Sequence, residues 1–127
     1  EGLTMRLIKP VVLGLALGST MTIAGECVKP EAPTMPDGAS ASMEDMLNGQ
    51  KAVKTFQSAN MDYMKCLEEK FTAAEAAGLT GSDEEKKAAK STYDKAIEAY
   101  NSAVSKEEEV AGQFNTEIRE YKAANPS

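Results

Sequence analysis

Few side chains in this 127-residue chain can do chemistry, and their spacing narrows the choice further. There is no histidine, which removes the usual general base, the commonest metal ligand and the usual switch near neutral pH. Cys27 and Cys66 are the only thiols, and with no CxxC and no histidine a two-thiolate metal site lacks its remaining ligands. Carboxylates cluster at Glu68-Glu69, Glu84-Glu85 and Glu107-Glu108-Glu109. Paired carboxylates serve glycoside hydrolysis, but runs of this kind on a helix form a solvated face. Gly78 and Gly81 are not followed by the Lys-Ser/Thr of a phosphate-binding loop. Methionine is the remaining pattern: Met43-x-x-Met46 and Met61-x-x-Met64 set thioethers one helical turn apart, twice. Soft thioether sulfur favours Cu(I), although methionine is also a flexible filler of loosely packed interfaces. No nucleophile–base pair can be assembled, so the sequence predicts a non-enzymatic protein without a cofactor. Copper or stress binding through Met43, Met46, Met61 and Met64 is the alternative reading.

Composition excludes further classes. Fourteen basic and 20 acidic residues give a net charge of -6 and an isoelectric point near 4.7. No basic face for phosphate contacts follows from such a balance, so no nucleic-acid partner is expected. With 42% hydrophobic and 27% charged residues, the chain is neither collagen-like nor strongly disordered.

Residues 5–24 read as a secretory signal peptide, with residues 1–4 as upstream or fragment residues. Arg6 and Lys9 form the basic start, residues 11–18 are apolar, and Ser19, Thr20 and Thr22 lead to a cut before Gly25 or Glu26. The apolar run ends at Ile23, well short of the roughly 20 residues a membrane-spanning helix needs. Lipid attachment at Cys27 would need a small residue directly before it, where Glu26 stands. Removing the first 24 residues leaves 12 basic and 19 acidic side chains, a net charge of -7. The expected product is an acidic periplasmic or secreted chain, processed near Ala24-Gly25, with no membrane span. Two cysteines in an exported chain are expected to be oxidised to one disulfide, Cys27–Cys66, closing a loop worth about 4 kcal/mol.

The elements that must position these groups are helices. Residues 25–41 form an extended segment, with Pro30, Pro33 and Pro36 at three-residue spacing before a turn at Asp37-Gly38. Residues 42–127 read as a helical hairpin: a helix over about 43–77 capped by Ser42 or Ser40, a turn at 78–81, and a helix over about 82–124. In the first helix Met46, Val53, Phe56, Asn60, Tyr63, Leu67 and Phe71 or Ala74 share one face. Gly78-Leu79-Thr80-Gly81 is expected to stop that helix, with glycine supplying the positive φ, and Ser82 with Glu85 to open the next as a capping box. The second helix carries Tyr93, Ile97, Tyr100, Val104, Glu107, Ala111, Phe114, Ile118 and Tyr121 on a three-four repeat, ending before Asn125-Pro126.

The fold class expected is all-α, a long antiparallel two-helix hairpin with coiled-coil-like packing and a proline-rich arm stapled to helix 1. A hinge near residue 80 pairs Leu67 with Tyr93, Tyr63 with Ile97, Asn60 with Tyr100, Phe56 with Val104 and Met46 with Phe114, and sets Glu107 opposite Val53. Cys66 lies about 36 Å along helix 1 from Ser42. Residues 28–41 reach up to about 46 Å extended, so the arm can run back to it. Buried area in a two-helix hairpin is limited, leaving a monomer and a small homo-oligomer both open.

The run C-x2-P-x2-P-x2-P-D-G, with Tyr63-Met64-Lys65-Cys66-Leu67 on a helix, resembles a group of small uncharacterised exported proteins of Gram-negative bacteria. Cys27, Pro30, Pro33, Pro36, Asp37, Gly38, Met46, Val53, Tyr63, Cys66 and Leu67 carry the resemblance. It implies a periplasmic address and a helical hairpin, and no activity. The functional expectation is a protein that acts through an unknown protein or envelope partner, with chaperone-like sheltering of other chains as a further alternative.

Overall fold

Two serines start the two helices. In the computed structural model, which describes residues 26–127, the Ser42 hydroxyl accepts from the Asp45 N–H at 3.1 Å, and the Asp45 carboxylate accepts from the Ser42 N–H at 3.0 Å. This reciprocal box opens α1, Met43–Ala77. The Ser42 backbone N–H, and then its hydroxyl, hold the Asp45 carboxyl below its ordinary 3.8. Ser82 accepts from the Glu85 N–H at 3.2 Å and opens α2, Asp83–Ala124, but no Glu85 side-chain bond returns to the Ser82 N–H, so the capping box expected there is only half formed. Each first turn is acidic, as the helix dipole favours. Replacing Ser42 by Ala is expected to cost about 1 kcal/mol. Thermal melting would read this as a loss of roughly 4–8 °C, and an unchanged midpoint would show the cap to be dispensable. The expected signal peptide, residues 5–24, lies outside the described residues.

The five residues between the helices bring α2 back antiparallel on α1. Gly78 caps α1 in ordinary helical geometry (φ -71), so of the two turn glycines it is not the one that supplies the expected positive φ. That role falls to Gly81, at φ 109, one position before the Ser82 cap. The reversal is completed where the chain enters α2, because α1 keeps its helical turn through Gly78.

On α1 the seam is the expected one, with Met46, Val53, Phe56, Asn60, Leu67 and Ala74 buried and Gly49 added. On α2 it differs. The buried residues are Ala89, Ala96, Ala103, Val110 and Phe114, whereas Val104 is 36% exposed and Ile97, Ala111 and Ile118 are half-buried. Small residues at heptad spacing let the backbones approach, so the larger side chains one position along are pushed to the flank. The pairing is correspondingly three residues from the expected one. Asn60 meets Ala103 instead of Tyr100, and Phe114 lies beside Gly49 instead of Met46 alone. Val110, 1% exposed, joins Met46, Val53, Phe56 and Phe114 in the main cluster, and Glu107 sits at its edge. Phe71, not Leu67, takes both Tyr93 and Tyr100, edge-on at 6.1 and 5.9 Å.

The arm forms the third layer. Cys27 is disulfide-bonded to Cys66, with Cα atoms 5.6 Å apart. From there residues 28–37 run antiparallel to α1 without regular structure. Met35 and Ala41 pack on the main cluster, and the Pro36 ring fills the space a side chain at Gly49 would need. At its far end Asp37 holds a turn: its carbonyl accepts from the Ser40 and Ala41 N–H groups, and its carboxylate from the Ala39 N–H and Ser40 hydroxyl.

Candidate functional site

Methionine chemistry depends on the thioethers converging, and the fold separates them. Met46 is buried in the main cluster, while Met43, one turn earlier, is exposed. Met61 is exposed and Met64 half-buried, about 22 Å further along α1. The two pairs therefore lie apart along α1, and within the first the two residues differ sharply in exposure. Cys27 and Cys66 are joined as expected, which commits both sulfurs to the arm. The Glu68-Glu69 and Glu84-Glu85 runs are exposed on their helices.

Contacts across the arm gather groups that are far apart in sequence. Gly38 is buried against α2 and donates its N–H to the Glu117 carboxylate at 3.3 Å. This brings Asp37 to Glu117 and Glu120, with carboxylate oxygens all within 4.8 Å of one another. The hydrogen bond shared with the Glu117 carboxyl, and then its charge, raise the Glu120 carboxyl above its ordinary 4.5, with Asp37 adding to the effect. Because the folded value lies above the unfolded one, this group favours the folded state below about pH 4.5 and loses that contribution as pH rises through the raised value. Glu120→Gln is therefore expected to raise the melting temperature slightly at pH 7 and to flatten its dependence between pH 4.5 and 7. Melts of both proteins across that range check this; parallel curves would show that the three acids do not feel one another.

A second gathering lies nearer the disulfide. Pro30 and Lys29 roof a cleft of about 490 Å³ whose floor is Phe56 and Asn60 of α1 and whose wall is the Ala99–Ala103 stretch of α2. Asn60 is 2% exposed, and its amide N–H donates to the Ala103 carbonyl at 3.0 Å. Ala103 has no side chain beyond Cβ, so Asn60 reaches the main chain of α2 and not the expected Tyr100 hydroxyl. Tyr63, Ser102, Lys95, Glu98 and Lys106 complete the lining. Lys106 is held by Glu109 at 3.2 Å, and among the described residues no ion pair involves Lys29 or Lys95. Spacing on one helix could flag Ser102 with Lys106, but only the disulfide brings Lys29 beside them.

Opposite the arm, α2 is bare. The arm side of α2 carries Ala99, Ser102, Lys106 and Gln113; the other flank carries Ile97, Val104 and Ala111 at seven-residue spacing, with Ile118 next in the row packed on the main cluster. Met64 and Phe71 border it from α1.

These features define a disulfide-stapled antiparallel helical hairpin with a proline-rich third layer. No protein family, curated protein or solved structure matches the chain. Among the described residues no helix is long and apolar enough to cross a membrane.

Proposed function

We propose that the protein is an exported, periplasmic binding module without enzymatic activity, and that its partner is an amphipathic helix of another envelope protein. The observation that carries this reading is the one-sided cover of the hairpin. Ile97, Val104 and Ala111 repeat at seven on the flank the arm leaves uncovered, and Ile118 closes the row against the main cluster. A ridge with that period is complementary to a further helix packed knobs-into-holes. The non-enzymatic part rests on the absent histidine and on both cysteines being tied in the disulfide. The address rests on the residue 5–24 pattern and agrees with the disulfide, as does the resemblance to small exported Gram-negative proteins.

Photo-cross-linking of the full-length protein in its periplasm tests this. A benzoylphenylalanine at Val104 is expected to trap one protein, with the adduct peptide lying on an amphipathic helix of that protein. The same probe at Ser91, on the outer face of α2, should not, and Ile97→Glu should abolish the Val104 adduct. Adducts with a second copy of this chain, or equal trapping at Ser91, would overturn the proposal.

A further inference from the structure

We infer that the cleft between the arm and the hairpin binds a small, freely diffusing organic anion, an aryl or short acyl carboxylate, with its head group on Lys29 and Lys95 and its apolar body over Phe56. The inference is independent of the helix-binding flank, which lies on the other side of α2.

Three observations converge on it. The first is size and form. About 490 Å³ is within the usual 300–1,000 Å³ of small-molecule sites, and the recess is walled by α1, α2 and the arm together. The second is charge. Residues 25–127 carry a net charge of -7, yet this one recess collects Lys29, Lys95 and Lys106 against a single carboxylate, Glu98. Of the three, only Lys106 is engaged, by Glu109. Set against Glu98 and Glu109, the three lysines leave the mouth of this mixed polar and apolar recess one positive charge in excess, which attracts an anion and disfavours a cation. The third is Asn60. A buried polar residue in an apolar seam lowers stability unless it sets register or meets a ligand. Here it lines the recess, and its donation to Ala103 orients the amide oxygen away from that carbonyl. The floor thus pairs an aromatic ring with fixed polar atoms, and the Tyr63 and Ser102 hydroxyls stand at the side as donors. An apolar body with one charged end matches this lining; an inorganic anion would leave Phe56 and Pro30 unused.

The arm is also what makes the recess. Lys29 and Pro30 are only two and three residues from the disulfide, so Cys27–Cys66 holds the roof over the floor.

The test uses the oxidised protein and octanoate below its micellar concentration, followed by amide chemical shifts, with octyltrimethylammonium as the cationic counterpart. Octanoate is expected to shift the amides of Lys29, Tyr63, Ala99 and Ser102 saturably, and binding should weaken as salt rises. Lys29→Glu with Lys95→Glu is expected to weaken it roughly tenfold or more. Both lysines are exposed, so helicity and melting should stay near wild type, which separates lost binding from lost fold. Val104→Glu, on the opposite flank, should leave octanoate binding intact even where it abolishes partner cross-linking. Equal binding of octyltrimethylammonium, indifference to the lysine replacements, or shifts centred on Ile97 and Val104 would overturn the inference. So would sedimentation with phosphatidylglycerol vesicles without any response to free octanoate, which would assign the basic mouth to a membrane surface.

Discussion

Replacing Cys27 and Cys66 by Ser is expected to destabilise the protein by about 4 kcal/mol, which for a domain near 100 residues lowers the melting temperature by roughly 15–30 °C. The size follows from the loop the bond closes. Thirty-nine positions separate the two residues, and on the chain-entropy account the unfolded chain gains that loop's freedom when the bond is absent. The native side loses little in exchange, since the helices keep their caps and their shared seam. The effect is large relative to the 5–15 kcal/mol typical of a whole domain, and a two-layer hairpin has a modest core to set against it. Far-UV circular dichroism on the double variant should show the helices intact at low temperature and melting early. Amide exchange should quicken first in the arm, whose roof over Phe56 and Asn60 is fastened at Cys27. A change below about 1 kcal/mol would mean that the reduced chain stays as restricted as the oxidised one, and the arm would then be held by its packing alone.

The parts of this architecture that were legible in the sequence are those carried by local chemistry. The Ser42 and Ser82 caps, the Asn125-Pro126 stop and the α1 stripe from Met46 to Ala74 each depend on residues within a few positions of one another. The disulfide was legible because a chain with two cysteines has one way to pair them. The α2 seam was misread for a physical reason. Hydrophobic periodicity weights large residues, and Ile97 and Val104 outrank Ala96 and Ala103 on any such scale, whereas Phe114, Ile118 and Tyr121 reach the core as expected. Close helix approach has the opposite preference. Opposite Asn60 and Phe56 the chain needs small residues, so the alanines go inside and the branched residues to the flank. The same inversion left the bare flank invisible, because its residues had been assigned to the core. Beyond the Cys27–Cys66 staple, the contacts of the arm could not be read, since nothing local links Gly38 to Glu117, 79 positions away, or Lys29 to Lys95 and Lys106.

Gly38 shows how tightly the far end of the arm is fitted, and its replacement by Ala carries the second large effect. Asp37-Gly38 reads as a turn, and glycine in a turn is ordinarily explained by positive φ. Among the described residues only Gly81 has one, so Gly38 is required for another reason. A Cβ there would stand 1.9 Å from the Glu117 carbonyl oxygen and 3.0 Å from the Tyr121 nitrogen, both main-chain atoms of α2. Backbone inside a long helix cannot yield locally, so the arm must lift. Lifting breaks the Gly38 N–H bond to Glu117 and loosens Met35 and Ala41 from the main cluster. Overpacking of this kind costs about 2–3 kcal/mol. The cost should depend on the other fastening. With Cys27 bonded to Cys66, the arm is fixed at both ends and has little freedom to shift around the added methyl. With both cysteines replaced by Ser, it can swing clear and lose only its contacts. The two destabilisations are therefore expected to combine to less than their sum, by about 1 kcal/mol or more, in a double-mutant cycle followed by urea unfolding. Strict additivity would show that the turn at Asp37 and the disulfide near Lys29 are separate anchors. In that case the roof of the cleft would be set by Cys27–Cys66 without help from Gly38. Sub-additivity would make the arm one docked unit, so that a change at Gly38 would also weaken anion binding some residues away at Lys29.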